Sequence, residues 1–228
     1  MIIGSGLLAR AFSDAYSECE DVCVYAAGVS NSGCTDPREF ERERIRLEDA
    51  LQTKRHIETF VYFGTCSVAD PDVKNTPYVQ HKLVMEKMVS AHPHYLILRL
   101  PQVAGITPNP HTLLNFLYAR ISRSESFDLW SKAKRNIIDV DDVALIGQQL
   151  IENKASHNSI YNIANIENYS MHDIVAAVEV VVGKRAVYDV VERGADYFID
   201  TTTTYLNIED ANRMFGNQYL ENVIRKYC

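Results

Sequence analysis

Tyr78 and Lys82 stand four residues apart in the stretch "NTPYVQHKLVMEKMV", residues 75–89. On a helix that spacing puts both side chains on one face. An ammonium group close to a phenol favours the phenolate and lowers the tyrosine pKa, which makes a usable general acid or base near neutral pH. Tyrosine is a mediocre helix former, so propensity alone does not ask for it here. Thr76 reads as the N-cap and Pro77 as the first helical residue, which puts Tyr78 in the first turn, beside the preceding loop. Taken alone, such a pair is most often surface chemistry. Its place raises the odds, because it follows the buried-strand pattern "TFVYFGTCSV", residues 59–68. Open α/β sheets bind their ligands at strand C-termini. Thr65 and Ser67 bring hydroxyls to that end, where one of them could hydrogen-bond the substrate oxygen that Tyr78 protonates.

A second chemical feature is "GSGLLA", with Gly4, Gly6 and Ala9 in a Gly-x-Gly-x-x-Ala spacing between a strand and a helix. Glycines there allow a tight turn and close approach of backbone to a pyrophosphate, and the helix N-terminus offers free N–H groups to the anion. A plain strand-to-helix turn is the bland reading of the same residues. A dinucleotide site normally adds an acidic ribose ligand about 20 residues on, at the end of a second strand. Here that strand ends in "YAAGVSNS", and Glu18, Glu20 and Asp21 come before it.

The elements that must position these groups alternate. "MIIG" and "DVCVYAAG" read as buried strands around a helix "LLARAFSDAYSE". "DPREFERERIRLEDALQ" reads as a charged amphipathic helix capped by Asp36 with Pro37 first; its charge run is most simply a solvated face with internal ion pairs, and could also form a dimer rim. "HYLILRLPQVAG" is a further strand, ending at Pro101. The alternation predicts a parallel sheet with right-handed crossovers. Past Ala104, "HTLLNFLYARIS" and "DVALIGQQLIEN" read as helices, "SIYNIAN" as a strand and "SMHDIVAAVEVVVG" as a helix capped by Ser170.

The chain has 228 residues and a formal net charge of −7. No basic cluster offsets that charge, which argues against nucleic-acid or membrane-surface binding. No apolar run approaches a membrane span, and the N-terminus shows no signal-peptide pattern. Five scattered cysteines favour a reduced, cytoplasmic setting. Cys19 and Cys23 share a possible helix turn, but no Cys or His cluster completes a site, so no metal is expected. Cys66 reads as a buried filler, since no histidine is placed to activate it. His81 reads as structural or surface. Among Asp139, Asp141 and Asp142, the simplest role is a helix cap from Asp141 or Asp142.

In this order the motifs resemble the extended short-chain dehydrogenase/reductases, the NAD-dependent epimerase/dehydratase group acting on nucleotide sugars, in a shortened form. Gly4 to Ala9 resembles the family's glycine loop, "VYAAGVSNS" its fourth strand and cofactor-facing loop, "FVYFGTCSV" the strand with the catalytic Ser/Thr, Tyr78 and Lys82 its Tyr-x-x-x-Lys pair, "RLPQVAG" the segment beside the nicotinamide, and "RNIIDVDDVA" the segment whose arginine holds the substrate diphosphate. "YNIAN" with its Ser-capped helix resembles the late strand and helix. The likeness covers roughly residues 1–185; the tail from Val187 matches poorly. The family's second and third strands have no counterpart, which leaves the first strand near a sheet edge.

The resemblance implies a Rossmann-like parallel sheet with helices on both faces over residues 1–105 and a small α/β substrate lobe over 106–228, interleaved into one compact unit. It implies an epimerase or 4-ketoreductase of surface polysaccharide biosynthesis. Dehydration is disfavoured because Cys66 and Ser67, rather than an acidic pair, follow Thr65. Tyr78 is the implied acid/base, Thr65 orients the sugar oxygen, and Lys82 lowers the Tyr78 pKa and holds the nicotinamide ribose. NAD or NADP is expected against Gly4, Gly6, Leu7, Leu8, Ala26, Ala27, Gly28, Lys82, Pro101 and Val103. A nucleoside diphosphate sugar is expected against Ser67, Asn115 and Arg135; a plain helix-surface amide is the other reading of Asn115. A homodimer through the Tyr/Lys helix is expected. The alternative reading is a non-catalytic nucleotide-sugar-binding module that has lost its cofactor.

Overall fold

The computed structural model describes residues 1–206 and 214–228; residues 207–213, part of the poorly matching tail, lie outside the described residues. The chain opens with β1 (Ile2–Ile3) and turns at Gly4, whose φ of +132° and close approach to the Ala26 carbonyl, 2.5 Å from a would-be Cβ, admit only glycine. Next come α1 (Leu7–Ala11), α2 (Ser13–Tyr16), β2 (Val22–Tyr25), α3 (Pro37–Thr53), β3 (Thr59–Thr65), α4 (Pro77–Val89), β4 (Tyr95–Leu100) and β5 (Gln102–Ala104). The second half supplies α5 (Leu113–Ser122), β6 (Phe127–Trp130), β7 (Lys134–Arg135), β8 (Ile137–Asp139), α6 (Val140–Glu152), β9 (Ser159–Asn162), β10 (Tyr169–Ser170), α7 (Met171–Val182), β11 (Tyr188–Val191), α8 (Thr202–Tyr205) and α9 (Tyr219–Tyr227). Among the described residues no helix is long and apolar enough to cross a membrane.

The main sheet is parallel throughout, in the order β1-β2-β3-β4-β9, so β1 lies at an edge as the short interval between the first two strands predicts. Every residue of β3 is buried, as a central strand covered on both faces requires. Its side chains alternate. Val61 and Phe63 join the core beneath α6, with Phe12, Leu98 and Ile146, while Phe60 and Tyr62 join the core beneath α3 and α4, with Leu47, Met85 and Val89. β9 comes from the second half and pairs with β4, Leu98 opposite Tyr161. The remaining strands form three two-stranded pairs, β5–β8, β7–β10 and β6–β11.

Local caps follow the residue types. Asp36 accepts from the Arg38 N–H at 2.9 Å and Pro37 starts α3; Ser170 accepts from the Asp173 N–H at 3.1 Å and starts α7. The cap of α6 differs from expectation. Asp139 is the residue with extended backbone, and its carboxylate accepts from the Asp141 N–H at 2.9 Å. Asp141 and Asp142 lie in the first turn, where negative charge faces the positive end of the helix dipole. Asp139 is further held by Lys226 of α9, at 2.7 Å.

The packing of α1 and α2 against α6 rests on Phe12, which is fully buried 5.4 Å from the Phe63 ring and fits only because Gly147 has no Cβ; a Cβ there would lie 2.6 Å from the Phe12 ring. We expect Phe12→Ala to lower unfolding free energy by about 3–5 kcal/mol in urea titrations. A loss under about 1 kcal/mol would show that this face is not the tight core described.

Candidate functional site

The C-terminal ends of β1 to β4 open into a cavity of about 700 Å³. Its walls include Gly4, Gly6, Leu7 and Leu8 from the first turn, Ala26, Ala27 and Gly28 after β2, Thr65 and Ser67 after β3, Tyr78 and Lys82 of α4, and Pro101 and Val103 after β4. Sequence separations of up to about a hundred residues thus converge on one cleft. Gly6 is the N-cap of α1, with no side-chain cap, and a Cβ placed on it would meet nothing within 4 Å. The first turn of α1 therefore faces open space across bare backbone. Among the described residues no aspartate or glutamate lines the cavity, whereas Arg10, Arg46 and Lys82 do. That donor set suits an anionic ligand carrying phosphates.

Thr65 ends β3, after which the chain makes a 3-10 turn over Cys66–Ala69. The Thr65 hydroxyl accepts from the Ser67 N–H at 3.2 Å and is near enough to the Tyr78 hydroxyl to oppose the rise of its pKa. Tyr78 is buried against Val29 and Val79, with α4 starting at Pro77 as expected. Thr76 is the cap by position only, since its hydroxyl donates to the Val73 carbonyl at 2.7 Å. Cys66 is a buried filler whose Sγ donates to the Arg99 carbonyl.

Lys82 behaves differently from the expectation that it lowers the Tyr78 pKa. Its Nζ donates to Glu43 Oε1 and to the Tyr62 hydroxyl, each at 3.1 Å, within a fully buried cluster. The Glu43 carboxylate cancels the field that Tyr78 would otherwise feel. Burial, and secondly that carboxylate, push the Tyr78 phenol above its ordinary range, with Thr65 opposing them. The resting tyrosine is thus protonated at neutral pH. Burial also lowers the Lys82 ammonium from its usual value, while Glu43 and then Glu86 oppose the shift.

Glu43 is the residue the sequence reading missed. The charge run of α3 does form exposed ion pairs, Arg42–Glu39 and Arg44–Glu41 among them. Glu43, however, is 2% exposed and faces inward with Leu47 and Ala50. That i, i+4, i+7 stripe was the available signal. Glu43 Oε1 also accepts from the Tyr62 hydroxyl at 2.8 Å; Oε2 accepts from the Val29 N–H at 2.6 Å and lies 3.0 Å from His81 Nε2. His81, expected to be structural or surface, is stacked on Phe40 and belongs to this cluster.

The structure does not bring Asn115 or Arg135 into the cavity wall. Asn115 donates to the carbonyls of Thr107 and Asn109 at 2.9 and 2.8 Å, holding a loop that itself lines the cleft. Arg135 lies in β7 and donates to the Lys134 carbonyl. It acts electrostatically on Tyr197, on which Ser67 also acts. Burial first, then Cys66 and Asp70, push Tyr197 up to about 12, against Arg135 and Ser67. Tyr197 comes from an irregular segment with no periodic pattern to mark it.

The Glu43 carboxyl feels burial as the largest effect, which raises it, yet His81, Lys82, the Val29 N–H and Tyr62 together hold it at about 2, below the ordinary 4.5. A depressed folded-state pKa stabilises the fold above the unfolded value and loses that contribution as pH falls through 4.5 towards 2. The size is on the order of 3 kcal/mol. Denaturant titrations between pH 6 and about 2.5 should show this loss in the native chain and not in Glu43→Gln; equal slopes for both would contradict the assignment. Gly28→Ala should also destabilise, by about 2 kcal/mol or more, since its Cβ would lie 2.6 Å from Lys82 Nζ and 2.8 Å from Glu43 Oε1.

Comparison with known proteins places this geometry. A search of curated protein sequences found no match. Among solved structures, the chain is similar to a UDP-glucuronic acid 4-epimerase from Bacillus cereus in complex with UDP-4-deoxy-4-fluoro-glucuronic acid and NAD, with a TM-score of 0.76 and 18% identity over 99% of this chain and 79% of that one. It is also similar to a UDP-glucose 4-epimerase from Thermus thermophilus in complex with NAD (TM-score 0.70, 17% identity, 98% and 82% covered). RMD from Pseudomonas aeruginosa, complexed with NADPH, gives a TM-score of 0.67 at 15% identity, with 98% and 85% covered. At such identities the likeness speaks for the fold. The model of the NAD dependent epimerase/dehydratase family matches residues 8–164, well over half of the sequence, and the chain belongs to that family.

Proposed function

We propose that the protein is an NAD(P)-dependent epimerase or 4-ketoreductase acting on a nucleoside diphosphate sugar, in surface polysaccharide synthesis. The observation that carries this is the meeting of Tyr78, Thr65 and Lys82 with the glycine turn on one cleft. Bare backbone at Gly6, the close turn at Gly4 and the two guanidinium groups of Arg10 and Arg46 fit the phosphates of a dinucleotide. NAD in two of the similar structures and NADPH in a third support the same group here. Bound there, the cofactor supplies hydride transfer at nicotinamide C4.

The chain's own residues supply binding and proton transfer. Gly4, Gly6, Leu7 and Leu8 hold the pyrophosphate end; Ala26, Ala27, Gly28, Pro101 and Val103 form the walls of the cofactor slot; Lys82 meets the nicotinamide ribose. Thr65 and Tyr78 line the same cleft and interact, so a sugar oxygen placed between them is oriented by one hydroxyl and exchanges a proton with the other. A protonated resting Tyr78 suits delivery of a proton to a ketone oxygen, the direction a ketoreductase needs. Ser67 stands at the sugar end, with Tyr197 and Arg135 behind it. Arg135 is the residue we assign to the sugar-nucleotide diphosphate, where a guanidinium forms two parallel hydrogen bonds. The apolar side of the Tyr/Lys helix, with Val84 exposed, suits pairing of two copies.

Tyr78→Phe should lower turnover by about 10²- to 10⁴-fold while leaving nucleotide and sugar-nucleotide affinities unchanged; unaltered turnover would remove Tyr78 from the chemistry. Gly6→Ala should keep the melting temperature, because nothing crowds its Cβ, and should weaken NADH or NADPH binding in fluorescence titrations. No binding of either nucleotide to the native chain at millimolar concentration would leave only the non-catalytic sugar-nucleotide module.

A further inference from the structure

We infer that Glu43 is a positioning residue for Lys82, fixing its ammonium group and the Val29 loop to one carboxylate at the floor of the cleft. The inference rests on the cofactor reading above and goes beyond it, since it adds a group from α3 that does not line the cavity.

The geometry leaves Glu43 no freedom for another role. Oε1 receives Lys82 Nζ and the Tyr62 hydroxyl, and Oε2 receives the Val29 N–H and faces His81 Nε2. Every acceptor direction is used inside the protein, so the carboxylate holds other groups and does not itself reach a ligand. Three elements meet on it: β3 through Tyr62, α4 through His81 and Lys82, and the segment after β2 through Val29. The backbone carbonyl of Glu43 is also within reach of the Tyr25 hydroxyl, at 3.3 Å. The other charged or titratable groups facing the cluster are Tyr78 and Glu86 from α4 and Arg46 from α3.

Lys82 is 4% exposed, and an ammonium buried to that degree without a partner gives up its proton or turns towards water. With Glu43 present it keeps a counter-charge and a fixed direction. Gly28 closes over both groups, since any side chain there would strike Lys82 Nζ and Glu43 Oε1. One carboxylate therefore sets both the lysine that meets the cofactor and the wall against which the cofactor lies.

A double-mutant cycle tests this with Glu43→Gln, Lys82→Met and the double variant, read three ways: denaturant stability without ligand, NADH and NADPH affinity by nucleotide fluorescence, and kcat against KM. The expected result is that Glu43→Gln weakens nucleotide binding about tenfold or more in the native background and less than about twofold once Lys82 is Met. The double variant should be more stable than either single one, because removing both charges leaves neither buried alone. This stability arm holds even if Glu43→Gln alone does not fold, and Glu43→Asp, which keeps the charge at a shorter reach, should recover folding with affinity still reduced. Equal binding losses in both backgrounds, or a double variant no more stable than Glu43→Gln, would overturn the inference. A native chain that binds neither nucleotide overturns the functional reading and this inference with it. A native chain that binds, with an additive cycle, overturns this inference alone.

Discussion

The arrangement depends on a buried ion pair. Glu43 of α3 and Lys82 of α4 meet beneath the cleft with Tyr62 between them, and the two helices cannot shift relative to β3 without exposing or separating those charges. Burying a carboxylate and an ammonium is costly unless each finds its partner and its remaining hydrogen bonds. Here the donors come from three elements, so the cost is met only in the folded arrangement. A second pair, Glu86 with Arg99 at 2.6 Å, ties α4 to β4 four residues further along the same helix. Gly64 leaves the room for it, since a Cβ there would lie 2.3 Å from Glu86 Oε1. The inner face of α4 is thus polar along Tyr78, Lys82 and Glu86, and apolar along Met85 and Val89.

The sheet explains where the cleft lies. With β1 at the edge of the five-stranded sheet among the described residues, the cavity is bounded by the C-terminal ends of β1 to β4 and by the loops after them. Under the proposed function, cofactor affinity comes mainly from phosphate contacts and from the apolar slot between Gly28 and Val103. Electrostatic attraction of that kind falls with added salt.

How far the sequence disclosed this varied with the physical origin of each feature. The β3 run at residues 59–65 and the helix from Pro77 were legible, because burial on both faces and a proline at the first helical position are local signals. The glycine turn was legible for the same reason, and its meaning came from the strand before it and the helix after it. Glu43 was not, since a glutamate inside a run of alternating charges reads as solvated; only its place on the stripe with Leu47 and Ala50 betrays the inward face. Without burial and Glu43 in view, the Tyr78 phenol was expected below its ordinary range, whereas both push it above. The cap of α6 went to Asp139 because three nearby aspartates offer similar local signals and the backbone chooses among them. The pairing of β9 with β4, and the placing of Tyr197 beside Ser67, are long-range events that no local pattern encodes.

The most direct test of the central claim, that Tyr78 exchanges a proton with a sugar beside a nicotinamide, is a crystal structure with NAD(H) or NADP(H) and a nucleoside diphosphate sugar bound together. The account predicts the reacting sugar carbon about 3–3.5 Å from nicotinamide C4, with its oxygen within hydrogen-bond distance of both Tyr78 and Thr65. A nucleotide seated elsewhere, or a phenol turned out of the cleft, would contradict it.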